Sequence, residues 1–564
     1  MVIPTSKADV MNIEAMSELD EFSQYYADFL DGTYDCVDRI VLNAYFQLAQ
    51  TAGGLRVWWR ELYGSDDKLD KTHLMRIAGR FGRRLKAYAQ KEGIAVIDVP
   101  SGQRKHEIAA QYLPQDPDFV GVFVILTGRA SAPVFDVKQN KAGKISDIQR
   151  KYAYVKQYHF HIMDPDWGHI IIKLSPHPPF GAQIILNGHQ YVARQADKAG
   201  IAFSKEGNCF THISDPTGLA QIADTLRDDD VVGQLSQLCE RWIYSTCLCF
   251  ALTLEQQEQT NFRYRYSTYQ MEYSRNLLFQ RGGQMEQLFN GIIDRVRAKL
   301  DVQTLKTIFG TKRRPFRHKK NKAPRLEVVV ENPTYDLTVF KLHFDKLTVK
   351  LYTKGERVLR VEVIIHNTKA LPYGRSLPKF PDIANHLKEI LGRFLNILHC
   401  VDNSFISGDT LDTLHTSSQV GKTRVGGINL NQARSRAVIE AVIALAPIPS
   451  GFTASTLATK VRAILGLSEN EYTPRQAAYD LKKLRGKALV GKIDRSRRYE
   501  PTADGLAVMT ALLILREKVI KPILAGVAKP KRGPKPKHLS PIDAIYQTIQ
   551  LAMYNLFEVL GIAA

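Results

Sequence analysis

YTPRQAAYDLKKLRGKALVGKIDRSRRYEPTADG, residues 472–505, carries the most specific structural pattern in this sequence. Thr473 is a good N-cap, Pro474 suits the first helical position and Gly486 is a stop, so a helix from Pro474 to about Arg485 is well specified. Upstream, ARSRAVIEAVIALA and TASTLATKVRAILG carry helical apolar spacing and are separated by the turn PIPSG. Downstream, ALVGKI and RYEPT read as two short strands. Three helices followed by a two-stranded wing is the order of a winged helix-turn-helix, expected over residues 431–527. Ala477, Ala478, Leu481 and Leu484 form the expected core stripe. Arg475, Gln476, Tyr479, Lys482 and Lys483 then fall on or beside the open face, where long donors reach base edges and phosphates. The wing tip, with Arg495, Arg497 and Arg498, suits a minor groove or a phosphate backbone. The competing use of such a module is dimerisation or protein docking, which the basic wing disfavours.

Outward from this segment, the 564-residue chain is long enough for about three to four domains. Apolar residues make up 44% and charged residues 24%, which excludes a fully disordered chain. Lys plus Arg outnumber Asp plus Glu by 77 to 57, a formal charge of +20, and the excess is clustered, so a polyanionic partner is expected. Six cysteines, Cys36, Cys209, Cys239, Cys247, Cys249 and Cys400, show neither zinc-site spacing nor the density of a secreted scaffold, and are expected to be reduced and mostly buried. The longest apolar stretch, near FVGVFVILTG, is too short to span a bilayer and the N-terminus lacks a signal-peptide pattern. The expectation is a cytoplasmic, nucleoid-associated protein with no membrane role.

The rest reads as an α+β multidomain chain. Residues 1–92 are expected to be helical, from DEFSQYYADFL, DRIVLNAYFQLAQ and HLMRIAGRFGRRLKAYAQ. Residues 93–213 form an α+β domain of short strands with one helix closed by Gly200, and residues 214–309 a second helical region. Residues 310–326 are a basic loop in which Lys312, Arg313, Arg314, Arg317, Lys319, Lys320 and Lys322 would contact a nucleic-acid backbone. Residues 327–410 form a second α+β unit of four strands and a helix. A basic Pro-rich tether, 528–538, precedes a last helix, 539–564. No internal repeat at a fixed period is visible.

The pieces PPFGAQIILNGHQYVARQADKAGIAF, YSTYQMEYSRNLLF, KLYTKGERVLRVEVIIHN and AAYDLKKLRGKALVGKIDRSRRYE together resemble a bacterial family of long hypothetical proteins, over nearly the whole chain. Members look like multi-copy, mobile-element-type reading frames, labelled transposase-like or MarR-like from the winged helix. The resemblance implies architecture and context and carries over no catalytic residues. The pattern Lys350, Tyr352, Lys354, Leu359, Arg360, Glu362 is similar to a strand pair of some phage and plasmid replication initiators.

One set of residues points to catalysis. His159 and His161 flank Phe160 in an apolar strand, so both imidazoles project to one face and, with Glu272 or Asp164, could hold a divalent Mg or Mn ion as in HUH nickases. Tyr269 and Tyr273, four apart, would share a face of a helix as the paired nucleophiles of such an enzyme. Against this, histidine pairs on strands and tyrosines at this spacing are more often packing, so no cofactor is expected unless nicking occurs. Arg263, Tyr264, Arg265 and Tyr266 alternate in strand fashion and suit stacking against an unpaired strand, or simply a half-exposed strand. Arg360 and Glu362, two apart, read as an ion pair. The expected function is DNA binding for a mobile element or its control. The alternatives are a tyrosine-dependent nickase or transposase and an RNA-binding component of a ribonucleoprotein, and the oligomeric state is open.

Overall fold

The computed structural model describes residues 20–299 apart from 101, 142 and 143; 308–309; 325–330; 338–402 apart from 345 and 372; 412–514 apart from 447, 449, 494 and 495; and isolated residues between 541 and 552. Residues 310–324, the tether 528–538 and most of 539–564 lie outside the described residues. The chain is α+β and divides into two compact units. One holds residues 26–289 and 304–391, the other residues 1–25, 290–303 and 392–564. Among the described residues no helix is long and apolar enough to cross a membrane.

The larger unit is built on one twelve-stranded sheet. Its strands in chain order are β1 Leu30–Phe46, β2 Ala95–Asp98, β3 Gly121–Gln139, β4 Ile145–Asp164, β5 Gly168–Leu174 and β6 Ala182–Asn187. The hairpin β7 Phe203–Lys205 and β8 Phe210–Ile213 stands apart as its own small sheet. β9 Tyr264–Phe279, β10 Ile308–Phe309, β11 Arg325–Val330, β12 Thr338–Phe344, β13 Leu347–Lys354 and β14 Val358–Ile365 complete the large one. The spatial order is β10-β11-β12-β13-β14-β9-β1-β6-β5-β4-β3-β2. The two expected α+β domains, 93–213 and 327–410, are therefore halves of a single sheet.

The halves follow the same path. β1, helices Ala52–Tyr63 and Lys71–Lys91, β2 to β6 and helix Gly188–Lys198 match β9, helix Gly282–Lys299, β10 to β14 and helix Phe380–Asp402. In each half the first strand lies beside the last, the second strand is parallel to the third, and every other pairing is antiparallel. β1 and β9 pair antiparallel from Leu30↔Phe279 to Phe46↔Tyr264, so an approximate two-fold axis passes through this seam. The repeat is one of topology, which is why no period shows in the sequence.

Two expected helices are strands. DRIVLNAYFQLAQ was expected within a helical region of residues 1–92, and its residues through Phe46 belong to β1. Between strand neighbours on both sides, β1 is buried over most of residues 34–46, so its apolar residues run together instead of alternating and imitate helical spacing. YSTYQMEYSRN, inside the expected helical region 214–309, lies in β9 for the same reason. The helices of HLMRIAGRFGRRLKAYAQ and HQYVARQADKAG form as expected. Beyond their contacts with β5 and β2, β3 and β4 continue as a two-stranded ribbon, from Arg129↔Lys156 to Gln139↔Ile145.

In the smaller unit, helices Ala433–Leu445, Ala454–Leu465 and Pro474–Gly486 precede the antiparallel pair β17 Val490–Lys492 and β18 Tyr499–Pro501, and helix Ala503–Ile514 follows. A bridge between Phe452 and Tyr499 ties the turn after the first helix to β18. An earlier small hairpin joins β15 Ser418–Val420 to β16 Thr423–Val425. Four of the cysteines, Cys36, Cys209, Cys239 and Cys247, are buried free thiols and Cys249 is half-buried and free.

Close approach of helix Gly188–Lys198 to the seam depends on Gly188, where an added Cβ would lie 1.8 Å from the Val37 carbonyl oxygen. Gly188→Ala is expected to destabilise the larger unit by about 2 kcal/mol or more. Gly53→Ala, where a Cβ meets nothing within 4 Å, should be neutral or stabilise by up to about 1 kcal/mol. Urea unfolding of both variants checks the pair, and equal stabilities would contradict this packing.

Candidate nucleic-acid interface

Helix Pro474–Gly486 opens with a capping box. Thr473 Oγ1 accepts from the Gln476 amide (3.3 Å) and Gln476 Oε1 from the Thr473 amide (2.7 Å). Its buried face is Ala477, Asp480, Leu481 and Leu484. Asp480 thus takes the place in the core expected of Ala478, which is exposed. A carboxylate can sit there because Arg434 Nε (2.9 Å) and the Tyr472 hydroxyl (2.8 Å) donate to its Oδ2, with the Arg434 guanidinium 5.1 Å over the Tyr472 ring. This network pins the helix to Ala433–Leu445.

The outward face carries Arg475, exposed, and Tyr479, 47% exposed with Lys483 Nζ 5.1 Å over its ring. Lys482 and Lys483 are half-buried. Gln476 is engaged in the cap, so contacting a base would cost the helix its N-terminal hydrogen bonds. Arg497 is exposed, while Arg498 donates to Ser450 Oγ (3.1 Å) and the Gly451 carbonyl (3.0 Å), holding the hairpin against the preceding turn. Arg495 and the basic residues Lys312, Arg313, Arg314, Arg317, Lys319, Lys320 and Lys322 lie outside the described residues.

The expected catalytic set is not brought together. His159 and His161 are on β4 and Tyr269 and Tyr273 on β9, with β1, β6 and β5 between. Four strand spacings of about 4.8 Å put the two groups roughly 19 Å apart. His161 pairs with His169 of β5 (Nδ1 to Nε2, 3.0 Å), with Phe123 edge-on to both rings. Burial holds His159 and His161 down to about 3 and His169 to about 4, so all three are neutral imidazoles near pH 7. Tyr273 is fully buried. Its hydroxyl donates to Asp35 Oδ2 (3.0 Å), and burial followed by that carboxylate raises its pKa well above the usual phenol value. Tyr269 has no partner on β1, falling at the register shift between Val41 and Leu42. Burial and then the neighbouring Glu362 carboxylate push Glu272 up to about 7. Asp164 accepts from the amides of Asp166 and Trp167, from Arg241 and from the Trp242 indole, all at 2.8–2.9 Å, which makes it the anchor of the β4–β5 turn. Among the described residues no three His, Cys, Asp or Glu side chains are grouped to hold a metal ion.

Arg360 and Glu362 do approach as an ion pair (3.6 Å), but the main partner of Arg360 is Asp38 on β1, and its guanidinium also donates to the Asn208 carbonyl (2.6 Å). Asp38 Oδ1 in turn lies 2.7 Å from His189 Nδ1. These fully buried polar groups, with His189 kept neutral by burial, tie β14, β1, helix Gly188–Lys198 and the β7–β8 turn together. Tyr264 is buried, its hydroxyl donating to the Phe180 carbonyl, so it offers no ring to an unpaired strand.

Sequence reasoning passed over one basic surface. Helix Lys71–Lys91 contains seven Lys and Arg residues and no Asp or Glu, a signal present in the sequence but read there only as helical spacing. No family model, curated protein or solved structure matches this chain.

The histidines give the larger unit an acid limit. Their folded-state pKa values lie below the unfolded value of about 6.5, so the unfolded chain binds more protons between the two. Stability is full above pH 6.5 and should fall as pH drops toward about 4, by up to about 1.4 kcal/mol per pH unit for each histidine. Urea unfolding at stepped pH, with His169→Gln as the comparison, checks this. A slope that His169→Gln leaves unchanged counts against it.

Proposed function

We propose that the chain is a nucleic-acid-binding protein, with duplex DNA as the first target, and that residues 433–514 form a winged helix in which Pro474–Gly486 is the recognition helix and the β17–β18 hairpin the wing. The observation that carries this reading is the division of one helix into two faces. Ala477, Asp480, Leu481 and Leu484 seat it. Arg475, Tyr479, Lys482 and Lys483 line the opposite side, next to a hairpin bearing Arg497. A short, rigidly capped helix with long cationic side chains on its free face matches the requirements of major-groove reading, and an arginine on the adjoining hairpin suits backbone or minor-groove contact. The formal charge of +20 supplies the long-range attraction and a strong salt dependence. The resemblance to mobile-element reading frames supports service to such an element or its control.

Within this reading Arg475 and Tyr479 face the bases, Arg497 a phosphate, and Arg498 sets the wing's position. Gln476 acts through the cap. Arg475→Ala is expected to weaken binding to a selected duplex by about tenfold and to relax sequence preference, whereas Arg497→Ala lowers affinity for all sequences and reduces the salt slope by about one. Fluorescence anisotropy against salt concentration measures both. Unchanged affinity and slope in the two variants would remove the recognition-helix assignment. A single DNase-resistant RNA species retained through purification without nuclease would transfer the reading to a ribonucleoprotein.

A further inference from the structure

We propose that the larger unit carries a second, separate site, for single-stranded nucleic acid, in the cleft between helices Ala52–Tyr63 and Lys71–Lys91. The proposal does not rest on the winged-helix reading and uses none of its residues.

The cleft measures about 380 Å³ and its walls combine cations with aromatic rings. Arg76, Arg80 and Arg83 are spaced by four and three residues, so one face of helix Lys71–Lys91 presents all three, and Lys68 stands at its approach. No carboxylate lines the cleft. Two nearby acids are already engaged: Asp66 by Arg56 and Arg60, and Asp70 by the His73 amide and imidazole as the helix N-cap. Guanidinium groups at this spacing repel one another and no acidic residue within 71–91 offsets them, although Arg76 lies 3.2 Å from His73 Nε2, so an anion in the cleft would lower this repulsion.

Arg80 is held at the cleft wall by donating to the Ala251 carbonyl (3.0 Å). One further feature selects the kind of anion. Tyr63 is 44% exposed and its ring lies 4.5 Å from that of the buried Trp59, tilted 46° to it. A partly exposed ring beside a buried indole is a platform for a base, and stacking of this kind accepts any sequence. The cleft volume falls within the range of about 300–1,000 Å³ that holds small ligands, and is of nucleotide size. A duplex keeps its bases paired and stacked inside, so among polynucleotides an unpaired strand is the form that can give a base to Tyr63 and phosphates to the arginines together.

The test uses the full chain and a fluorescein-labelled oligothymidylate of about 15 nucleotides, a length within the site sizes of single-strand binders, followed by anisotropy in parallel with the duplex assay. Arg76→Glu combined with Arg83→Glu should weaken oligothymidylate binding by about tenfold or more and lower its salt slope by roughly 1.4, two contacts' worth. Tyr63→Ala should weaken it by about five- to a hundredfold with the slope unchanged, because stacking releases no counterions. Duplex affinity should change by less than about twofold in either, whereas Arg475→Ala should leave oligothymidylate binding alone. Single-strand affinity equal to the parent in both variants overturns the proposal, as does an equal loss for duplex and single strand, which means one shared surface. Full displacement by inorganic tripolyphosphate with Tyr63→Ala silent also overturns it, leaving an anion site without a strand. Circular dichroism reports the fold of each variant. If the double charge reversal unfolds, the surface substitution Tyr63→Ala decides alone.

Discussion

The antiparallel seam between β1 and β9 is the constraint on which the larger unit depends. Asp35 and Arg275 stand directly opposite each other across it and make a bidentate pair, 2.6 and 2.8 Å, with Tyr273 donating to the same carboxylate. Against the cost of burial, the Arg275 guanidinium holds Asp35 below the usual carboxylate range. A one-residue slip would carry every side chain of the strand to the other face and leave a buried charge unpaired, a fault worth about 3–5 kcal/mol in pairs of this kind. The seam's register is therefore set by charge as well as by shape. On one side it continues into β6 and on the other into β14, and the Asp38, Arg360 and His189 cluster locks those outer strands and a covering helix to it.

Two halves of one topology meeting at this seam need not do the same work. The first half has elaborated its connection between first and second strands into two helices, one of them strongly basic, and its β3–β4 hairpin into a long ribbon. The second half supplies β14, an interior strand in which every residue is buried. A sheet whose buried charges are paired across its central seam is a scaffold on which the proposed cationic cleft would be held in place. The smaller unit uses a different device, a capped helix clamped by a buried carboxylate, to present its own cations.

Much of this was legible in the sequence where local chemistry dictates local structure. β2, β5, β6, β11 to β14, the start of β3 and the end of β4 follow from β-branched runs bounded by Gly, Pro and Asp, and the helix at Pro474 from its cap and its Pro, whereas the polar ribbon within residues 129–151 was not legible as strand. β1, and β9 beyond its first residues, were not legible as strands, because extensive burial removes the alternation that marks one and that residues 263–266 still show, and nothing local reveals that Leu30 pairs with Phe279. The candidate site was read in part. Arg475 and Tyr479 are on the free face, yet Gln476 is held by Thr473, Ala478 and Asp480 exchange their expected places, and the histidine and tyrosine pairs are separated by three strands, a fact only topology supplies. The basic face of Lys71–Lys91 was visible in composition, but the ring of Tyr63 that gives it meaning comes from the neighbouring helix.

The most direct measurement is photocrosslinking of the full chain to a duplex with a short single-stranded tail, substituted with 5-iodouracil in one region at a time, followed by mass-spectrometric mapping of the attached peptides. The account predicts that label in the duplex marks residues 474–498 and label in the tail marks the peptides around Tyr63 and residues 71–91. Crosslinks scattered over the surface without regard to the label's position, or none to either segment, would contradict it.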